Sequence, residues 1–409
     1  MAFFLDCEVE GPLSVERLRA AVEAAAARHP LVCSRVAWRG GRPRWLPPDV
    51  LPVVESGGAD AWRPIDLSRE SGLRLVVLPL PIESGSVEPA TPRHRVVMMA
   101  HHAVLDGVAG CEYLGDVWAH YAGSEPPRFS AGRSSRSKTA AGGDVGGASS
   151  PWAFAMFRPR PLAQPRSSTG GRSDPVDVAS PPFRSVALDD TATGRLRALT
   201  AARGWSLNDL VVAAVMRAAG RWNERVGGRA GNVRITLPVS LRPAGSREPA
   251  CNALGYAFLD RTPAQCADRT QLAAGVAAAS RWIVETGAAA EFLAAVGGLA
   301  RRPWLLRLVT RLPVCFSTAV VSTIGDPSRR MRAGLPKIDG CDAPGDLVIR
   351  ELRGVPPLRP GTRASVGVTT YRGALSLTSL CSASADGRPS PRAAEEFLSL
   401  VAAELRASL

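Results

Sequence analysis

Lysine is nearly absent from this chain. Of the 50 lysine and arginine residues only Lys138 and Lys337 are lysines, and the arginines are scattered through every segment to give a formal net charge of +13. A basic protein attracts nucleic acids, membrane surfaces and anionic substrates. An even scatter with so strong a preference for arginine is also typical of GC-rich coding. We therefore interpret most of the positive charge as a result of coding composition without a function of its own. The alternative is that the charge steers an anionic cosubstrate to the protein.

The chain also lacks the sequence features that mark membrane-spanning, secreted, zinc-binding and disulfide-rich proteins. It has no apolar run approaching the roughly 20 residues that span a bilayer, and its first residues include Asp6 and Glu8 instead of a basic secretory leader. Its eight cysteines lie far apart without a C-x-x-C pair, which predicts neither a zinc knuckle nor a disulfide framework. These absences favour a cytoplasmic protein, with peripheral contact to a membrane as the alternative.

The length and composition indicate a globular protein with two units. At roughly 100–200 residues per domain, a chain of 409 residues suggests two domains or one large two-lobed unit. Hydrophobic residues make up 45% of the chain and charged residues 21%. These shares are ordinary for a globular protein and exclude a wholly disordered or fibrous one.

A segment rich in serine, glycine, proline and arginine divides the chain into two halves. This segment covers residues 126–181, and it has the composition of a mobile crossover because it can bury little apolar surface. We expect limited proteolysis to cut it first. Its arginines lack the interleaved aromatic residues of a single-strand binder, so no nucleic-acid partner is predicted. The predicted domains are an N-terminal lobe at 1–125 and a C-terminal lobe at 182–409.

Both halves mix helix patterns with strand patterns. In the first half the apolar periodicity predicts helices over 15–29 and 108–121, and strands over 31–38, 43–46, 73–80 and 94–100. In the second half it predicts helices over 190–203, over 206–225 and from 391 onward, and strands over 183–188, 233–239, 256–260, 318–324, 347–352, 364–370 and 374–380. Such a mixture in each half predicts two α/β lobes.

The densest chemical signal is a histidine pair followed by an aspartate. Two of the five histidines are adjacent in the stretch His101-His102-Ala-Val-Leu-Asp106-Gly107, between a predicted strand and a predicted helix. This order of elements places an imidazole at the mouth of a cleft. Because neighbours along a strand point to opposite faces, we expect one histidine to face a ligand and the other to pack.

The residues around the histidine pair argue against two common kinds of site, a zinc site and a Ser-His-Asp triad. A zinc site needs three or four ligands, and no Cys, His or Glu stands at ligand spacing here, so no metal is predicted. A Ser-His-Asp triad is not predicted, because the chain has no Gly-x-Ser-x-Gly elbow. Two interpretations remain. Either both histidines are satisfied polar residues at a strand end, or one is a general base without a covalent nucleophile, with Asp106 turned inward to hold the loop.

The histidine stretch resembles the H-H-x-x-x-D-G motif of the coenzyme A-dependent acyltransferase superfamily, which includes chloramphenicol acetyltransferase and the condensation domains of nonribosomal peptide synthesis. The wax ester synthase/diacylglycerol acyltransferase family fits best. Its N-D motif is similar to the stretch at Asn208 and Asp209, and its P-V-S-x-R-P strand end is similar to residues 238–243. Its later stretches resemble Asn252 and residues 321–327 and 370–375.

The resemblance implies two chloramphenicol-acetyltransferase-like α/β lobes in pseudo-twofold relation, with an active-site tunnel between them. It implies transfer of an acyl group from an acyl thioester, expected to be acyl-CoA, to the hydroxyl of a small-molecule or lipid acceptor, with His102 as general base. No cofactor is expected beyond acyl-CoA as cosubstrate. Condensation-type amide or ester formation on a carrier protein, a noncatalytic scaffold of the same fold, and a polyanion or membrane-surface binder remain as alternatives.

The resemblance also implies roles for further residues. His101, Asp106 and Gly107 complete the catalytic motif, and Asp106 is expected to pair with Arg242 across the lobe boundary. Substrate contacts are expected from Asn208, Asp209, Asn252, Ser322 and Thr323, of which Thr323 stands where the family has asparagine. For Asn208 and Asp209, capping of the helix that begins near Ser206 is the alternative interpretation.

Overall fold

The structure is a computed structural model, and it describes residues 1–81, 91–131, 157–164, 180–300, 304, 315–359, 361–382 and 388–409. The predicted crossover at 126–181, with its expected protease sites, lies mostly outside the described residues. All the helices and strands predicted from the apolar pattern lie within them.

The first half folds into strands and two helices, as its apolar pattern predicts. Ser14 caps the first helix, because its Oγ accepts a hydrogen bond from the Arg17 N–H (3.2 Å). Residues Pro30–Cys33 form a 3-10 turn, so the next strand begins later than predicted. The elements in chain order are β1 (Ala2–Glu10), α1 (Val15–Arg28), β2 (Ser34–Arg39), β3 (Arg42–Pro48), β4 (Val53–Ser56), β5 (Leu73–Pro79), β6 (Arg93–His101) and α2 (Gly107–Tyr121).

The described part of the second half contains three helices that the pattern did not predict: the short Pro327–Met331 (α7) and the longer Arg269–Thr286 (α5) and Ala288–Ala300 (α6). Alanine and glycine fill many positions of the two longer helices, so the contrast between an apolar and a polar face is weak in their sequence. The elements are β7 (Arg184–Leu188), α3 (Asp190–Ala202), α4 (Leu207–Gly227), β8 (Val233–Ser240), β9 (Leu254–Arg261), α5 (Arg269–Thr286), α6 (Ala288–Ala300), β10 (Ala319–Gly325), α7 (Pro327–Met331), β11 (Lys337–Ile338), β12 (Cys341–Asp342), β13 (Val348–Val355), β14 (Ala364–Tyr371), β15 (Ala374–Cys381) and α8 (Pro391–Arg406).

The sheet of the first lobe takes one strand from the second half of the chain. Its strand order is β13-β1-β6-β5-β4, and β1 runs antiparallel to both of its neighbours. Strand β13 pairs with β1 so that Phe4 lies opposite Val355 and Glu10 opposite Val348. The N-terminal lobe predicted at 1–125 is therefore completed by a strand from the range 182–409.

The second sheet belongs entirely to the second half of the chain. Its order is β7-β15-β14-β10-β8-β9, in which β10 is parallel to β8 and β14 while the other pairs are antiparallel. Helices α4 and α8 pack together beside this sheet. Their contact includes the buried carboxylate of Glu404, which pairs with Arg217 (2.7 Å) and Arg269 (3.1 Å). The fold is mixed α/β with two sheet-rich lobes, which confirms the predicted fold class.

Candidate functional site

The histidine pair lies where β6 leads into α2. Strand β6 ends at His101, and a short turn brings the chain to Gly107 at the start of α2. Asp106 caps this helix, since its Oδ1 accepts hydrogen bonds from the N–H groups of Val108 (3.0 Å) and Ala109 (3.1 Å). A cap of this kind contributes about 1 kcal/mol to stability. Helix α2 is buried on almost every face, so the turn is anchored to the core of the first lobe.

Both histidines are among the residues that line one cavity. Which of them faces a ligand stays a prediction. The alternation of strand neighbours ends at His101, because His102 already belongs to the turn. The His102 N–H donates to the main-chain oxygen of Met1 (2.9 Å), and its ring meets the Phe3 ring edge-on at 5.4 Å between centroids. The His101 Nδ1 accepts a hydrogen bond from the Ala103 N–H (3.2 Å).

The cavity in front of the histidines has a volume of about 550 Å³ and is lined from both halves of the chain. The first half contributes the end of β6 and the start of β1. The second half contributes strands β8 and β9, helix α6 and the segment that follows β13. The lining residues from the second half are Thr236, Asn252, Tyr256, Phe258, Phe292, Phe316, Ser317, Arg359 and Thr362.

Asn252 contacts His102 from the second half of the chain. Its Nδ2 donates to the carbonyl oxygen of His102 (2.6 Å) and lies 3.1 Å from the ring Nδ1. A general base needs an unprotonated nitrogen facing its substrate, so Nδ1 must carry the proton of the neutral ring for Nε2 to act. In that tautomer Nδ1 cannot accept from Asn252 Nδ2, which then donates to the carbonyl oxygen of His102 alone.

The surroundings of both imidazoles favour their neutral forms. Burial lowers the pKa of His102 from its ordinary 6.5, and the positive charge of Arg359 lowers it further. The hydrogen bond to its own backbone and the charge of Asp106 act in the opposite direction. Burial also lowers the pKa of His101, to about 4. Both rings are therefore neutral near pH 7, the state that can accept a proton.

Asp106 forms the ion pair with Arg242 that the resemblance implies. Its carboxylate is fully buried, and its Oδ2 accepts hydrogen bonds from Arg242 Nη1 (2.7 Å) and from the Ala253 N–H (2.8 Å). The other end of the guanidinium donates to the carbonyl oxygen of Cys251 (2.6 Å). The pair thus joins the turn after β6 to the segment between β8 and β9 that carries Asn252.

A second buried carboxylate holds the same segment. Asp116 on α2 pairs with Arg247 and with Arg28 (2.9 Å), and it accepts a hydrogen bond from His29 Nε2 (3.1 Å). The other nitrogen of His29 accepts a hydrogen bond from the Ala250 N–H (2.7 Å). Sequence reasoning missed this cluster. Together with the Asp106 pair, it fixes the segment 247–253 to the first lobe on both sides of Asn252.

Asn208 and Asp209 lie away from the His102 cavity. Asp209 forms a capping box with Ser206, since its Oδ2 accepts from the Ser206 N–H (2.8 Å) while Ser206 Oγ accepts from the Asp209 N–H (3.1 Å). The alternative interpretation of this stretch as a helix cap is thus confirmed for Asp209. Neither residue is among those that line the cavity, and their substrate contacts stay a prediction.

Ser322 and Thr323 also lie outside the lining of the His102 cavity. Ser322 is half-buried and Thr323 is exposed on β10. The neighbouring Ile324 lies close to the start of α2. A Cβ added to Gly107 would be 3.5 Å from the Cδ1 of Ile324. Ile324 lines a second cavity of about 720 Å³ whose charged lining residues are Arg197, Asp326, Arg329 and Arg330.

The aromatic lining and Arg359 are the main features that sequence reasoning missed. Tyr256 and Phe258 stand two positions apart on β9, so strand alternation alone would have placed them on one face. No comparable local signal marks Arg359, which follows β13. In the described ranges no group of three or more His, Cys, Asp or Glu side chains is arranged to hold a metal ion, and none of the described helices has the length and apolar character to cross a membrane.

Sequence comparison gives distant relatives. No family model matches the chain. A protein of Mycobacterium tuberculosis strain H37Rv, described as uncharacterised, is 26% identical over 309 residues, which cover 70% of this chain and 68% of that protein. The chondramide synthase of Chondromyces crocatus is 30% identical over 129 residues, which cover 28% of this chain and 3% of the synthase.

Three solved structures are similar over 99% of the chain. Polyketide synthase associated protein 5 from Mycobacterium tuberculosis has a TM-score of 0.60 at 17% identity over 94% of its own length. A trichothecene 15-O-acetyltransferase from Fusarium sporotrichioides has a TM-score of 0.65 at 12% identity over 90%. The first condensation domain of the CDA synthetase has a TM-score of 0.59 at 18% identity over 91%. The chain therefore has the two-lobed fold of condensation domains and chloramphenicol-acetyltransferase-like proteins.

Proposed function

We propose that this chain is an acyltransferase that moves an acyl group from an acyl thioester, such as acyl-CoA, to an acceptor hydroxyl. The observation that carries the proposal is the position of His102, which lines a cavity formed by both halves of the chain and has a lowered pKa. The shared fold with an O-acetyltransferase supports a transferase. The site needs no metal and no covalent nucleophile for this reaction.

In the proposed reaction the acceptor oxygen attacks the carbonyl carbon of the thioester. His102 Nε2 takes the proton of the hydroxyl as the new C–O bond forms. The C–S bond then breaks, and the imidazolium returns the proton to the leaving thiolate, so that ester and thiol leave a neutral ring behind. General-base help is worth about 10²–10⁴-fold in rate. Holding both substrates in line supplies much of the remaining acceleration.

The negative charge on the carbonyl oxygen needs a hydrogen-bond donor. Ser317 lines the cavity, but its hydroxyl already lies near the main-chain oxygens of Arg234 (2.9 Å) and Ala319 (2.7 Å). We propose the hydroxyls of Thr236 and Thr362, which line the same cavity, as the donors. Ser322 and Thr323, from which the resemblance implies substrate contacts, stand outside that lining.

The test is thiol release by the purified chain. Incubation with acyl-CoA of increasing chain length and a panel of alcohols should release free CoA and form ester in equal amounts. The same mixtures with His102→Ala should release CoA at least a hundredfold more slowly. Absence of ester with every donor and acceptor pair would favour the noncatalytic scaffold, and release without ester would indicate simple hydrolysis.

A second candidate is condensation on a carrier protein, giving an amide or an ester. It is supported by the structural similarity to condensation domains and by the sequence match to a chondramide synthase. The same assay decides between the two candidates when an acyl-loaded carrier protein replaces acyl-CoA and an amine replaces the alcohol. Turnover only with the carrier-bound donor would favour this second candidate.

We also propose a more specific acceptor, from the resemblance to the wax ester synthase/diacylglycerol acyltransferase family. It rests on the sequence stretches at Asn208, Asp209, Asn252 and residues 238–243. It implies a long-chain alcohol or a diacylglycerol as acceptor and contact with a lipid surface. A preference for long-chain over short-chain alcohols in the assay above, together with cosedimentation with vesicles that contain diacylglycerol, supports this branch.

A further inference from the structure

Arg359 is the one charged side chain in the described lining of the cavity. The amino terminus of Met1, whose pKa is lowered by burial, lies 3.1 Å from His101 Nε2 in the same lining. The Arg359 guanidinium lies over the ring of Tyr256, with its central carbon 4.0 Å from the ring centroid. Stacking of this kind holds the plane of the guanidinium and leaves its N–H edge available. The main chain is held as well, because the Thr362 N–H donates to the Arg359 carbonyl oxygen (3.0 Å).

No carboxylate of the described lining balances this charge. The described residues around the cavity include neither aspartate nor glutamate. Arg359 is half-buried, so part of its hydration is replaced by the aromatic ring and the cavity wall. A partly desolvated cation gains most from an anion that enters the cavity with the ligand.

The aromatic side chains elsewhere in the cavity wall suit the apolar part of a ligand. Phe258 and Phe292 meet edge-on with their ring centroids 4.8 Å apart, and Phe316 completes the aromatic wall. Aromatic side chains of this kind contribute a large apolar contact area. His102 stands on the side of the first lobe, so a bound molecule would contact the aromatic wall, Arg359 and the imidazole together.

We infer that the His102 cavity selects a substrate with an aromatic or aliphatic body and one carboxylate group, which Arg359 binds. One guanidinium matches one carboxylate in charge and in its two-pronged geometry. A phosphate carries about −1.5 to −2 charges and three acceptor oxygens, which a lone arginine leaves partly unsatisfied.

This inference deepens the proposed function and rests on it for the reaction, but its test measures binding alone. The probes are 4-phenylbutyrate, its neutral amide 4-phenylbutanamide, and 4-phenylbutyl phosphate, each titrated calorimetrically into the whole chain. A charge-assisted hydrogen-bonded contact predicts that the wild type binds the carboxylate about tenfold more tightly than the amide. Binding requires no turnover, so an inactive chain can still show the preference.

Three variants assign the preference to Arg359. Arg359→Gln should bring the acid and the amide to equal affinity, whereas Arg359→Lys should keep a reduced preference because it keeps the charge. Arg229→Gln removes the same charge from an exposed loop and should leave the preference unchanged. Melting curves of all three variants show whether the fold is intact.

The inference is overturned if the wild type binds the acid no more tightly than the amide, or if neither is bound. It is also overturned if a folded Arg359→Gln variant keeps the preference, or if the phosphate ester binds more tightly than the carboxylate. None of these outcomes depends on acyl transfer, so they leave the assay of the proposed function unaffected.

Discussion

Asp106 and Arg242 form a buried ion pair, with 2.7 Å between Oδ2 and Nη1, that connects the turn carrying His102 to the segment carrying Asn252. Both side chains are buried, and the carboxylate also accepts three main-chain hydrogen bonds. The same carboxyl group therefore caps α2 and holds the two lobes together beside the cavity.

Asp106→Asn should lose both stability and activity. The substitution leaves Arg242 buried without its counterion, and removal of one partner of a buried pair costs about 3–5 kcal/mol. The free energy of unfolding from urea titration measures this loss. Asp346→Asn is the matched control, because it breaks the half-exposed pair with Arg17 and should cost less than about 1 kcal/mol. An Asp106→Asn variant as stable as that control would contradict the role given to the pair.

Asn252→Ala should lower kcat/KM with little change in stability. Asn252 is exposed, and its Nδ2 contacts the carbonyl oxygen and the ring of His102. The loss of one such hydrogen bond corresponds to about 2–10-fold in rate. Asn208→Ala should have a smaller effect because Asn208 lies outside the cavity lining. Equal effects of the two variants would instead favour the substrate contact that the resemblance implies for Asn208.

The acid limb of the pH–rate profile should lie below pH 6.5. The pKa of His102 is lowered by burial and by Arg359, with Asp106 opposing, so the ring stays unprotonated through neutral pH and activity falls only as the pH drops through the lowered value. In Arg359→Gln the lowering charge is gone, so the limb should move to higher pH when measured as kcat/KM with a neutral substrate. Arg229→Gln should leave it in place. A limb above pH 6.5 in the wild type, or no movement in Arg359→Gln, contradicts this account.

The parts of the fold that depend on local pattern were predictable from the sequence. Strand β6, the turn and helix α2 follow from an apolar run, a polar turn and a second apolar run. The geometry of Asp106 follows from its place just before a helix. The pairing of Asp106 with Arg242 came from the resemblance, because no local pattern links two residues 136 positions apart.

The parts that depend on distant contacts were not predictable. Strand β13 joins β1 across most of the chain, and a period-2 pattern says only that a strand exists, not which sheet it enters. The contact between Arg359 and Tyr256 was not predictable either, because a local pattern does not show which distant residues meet. Strand alternation sets the direction of His101 but not that of His102, which stands one residue beyond the strand.

The proposed reaction depends on removal of the acceptor's proton by His102. Its most direct test is kcat/KM of folded His102→Ala relative to wild type, with His101→Ala alongside and with free imidazole added to the His102 variant. We expect a fall of about 10²–10⁴-fold for His102→Ala, a smaller fall for His101→Ala, and partial recovery with imidazole. A His102→Ala variant that keeps more than about a tenth of wild-type kcat/KM would contradict this role of His102.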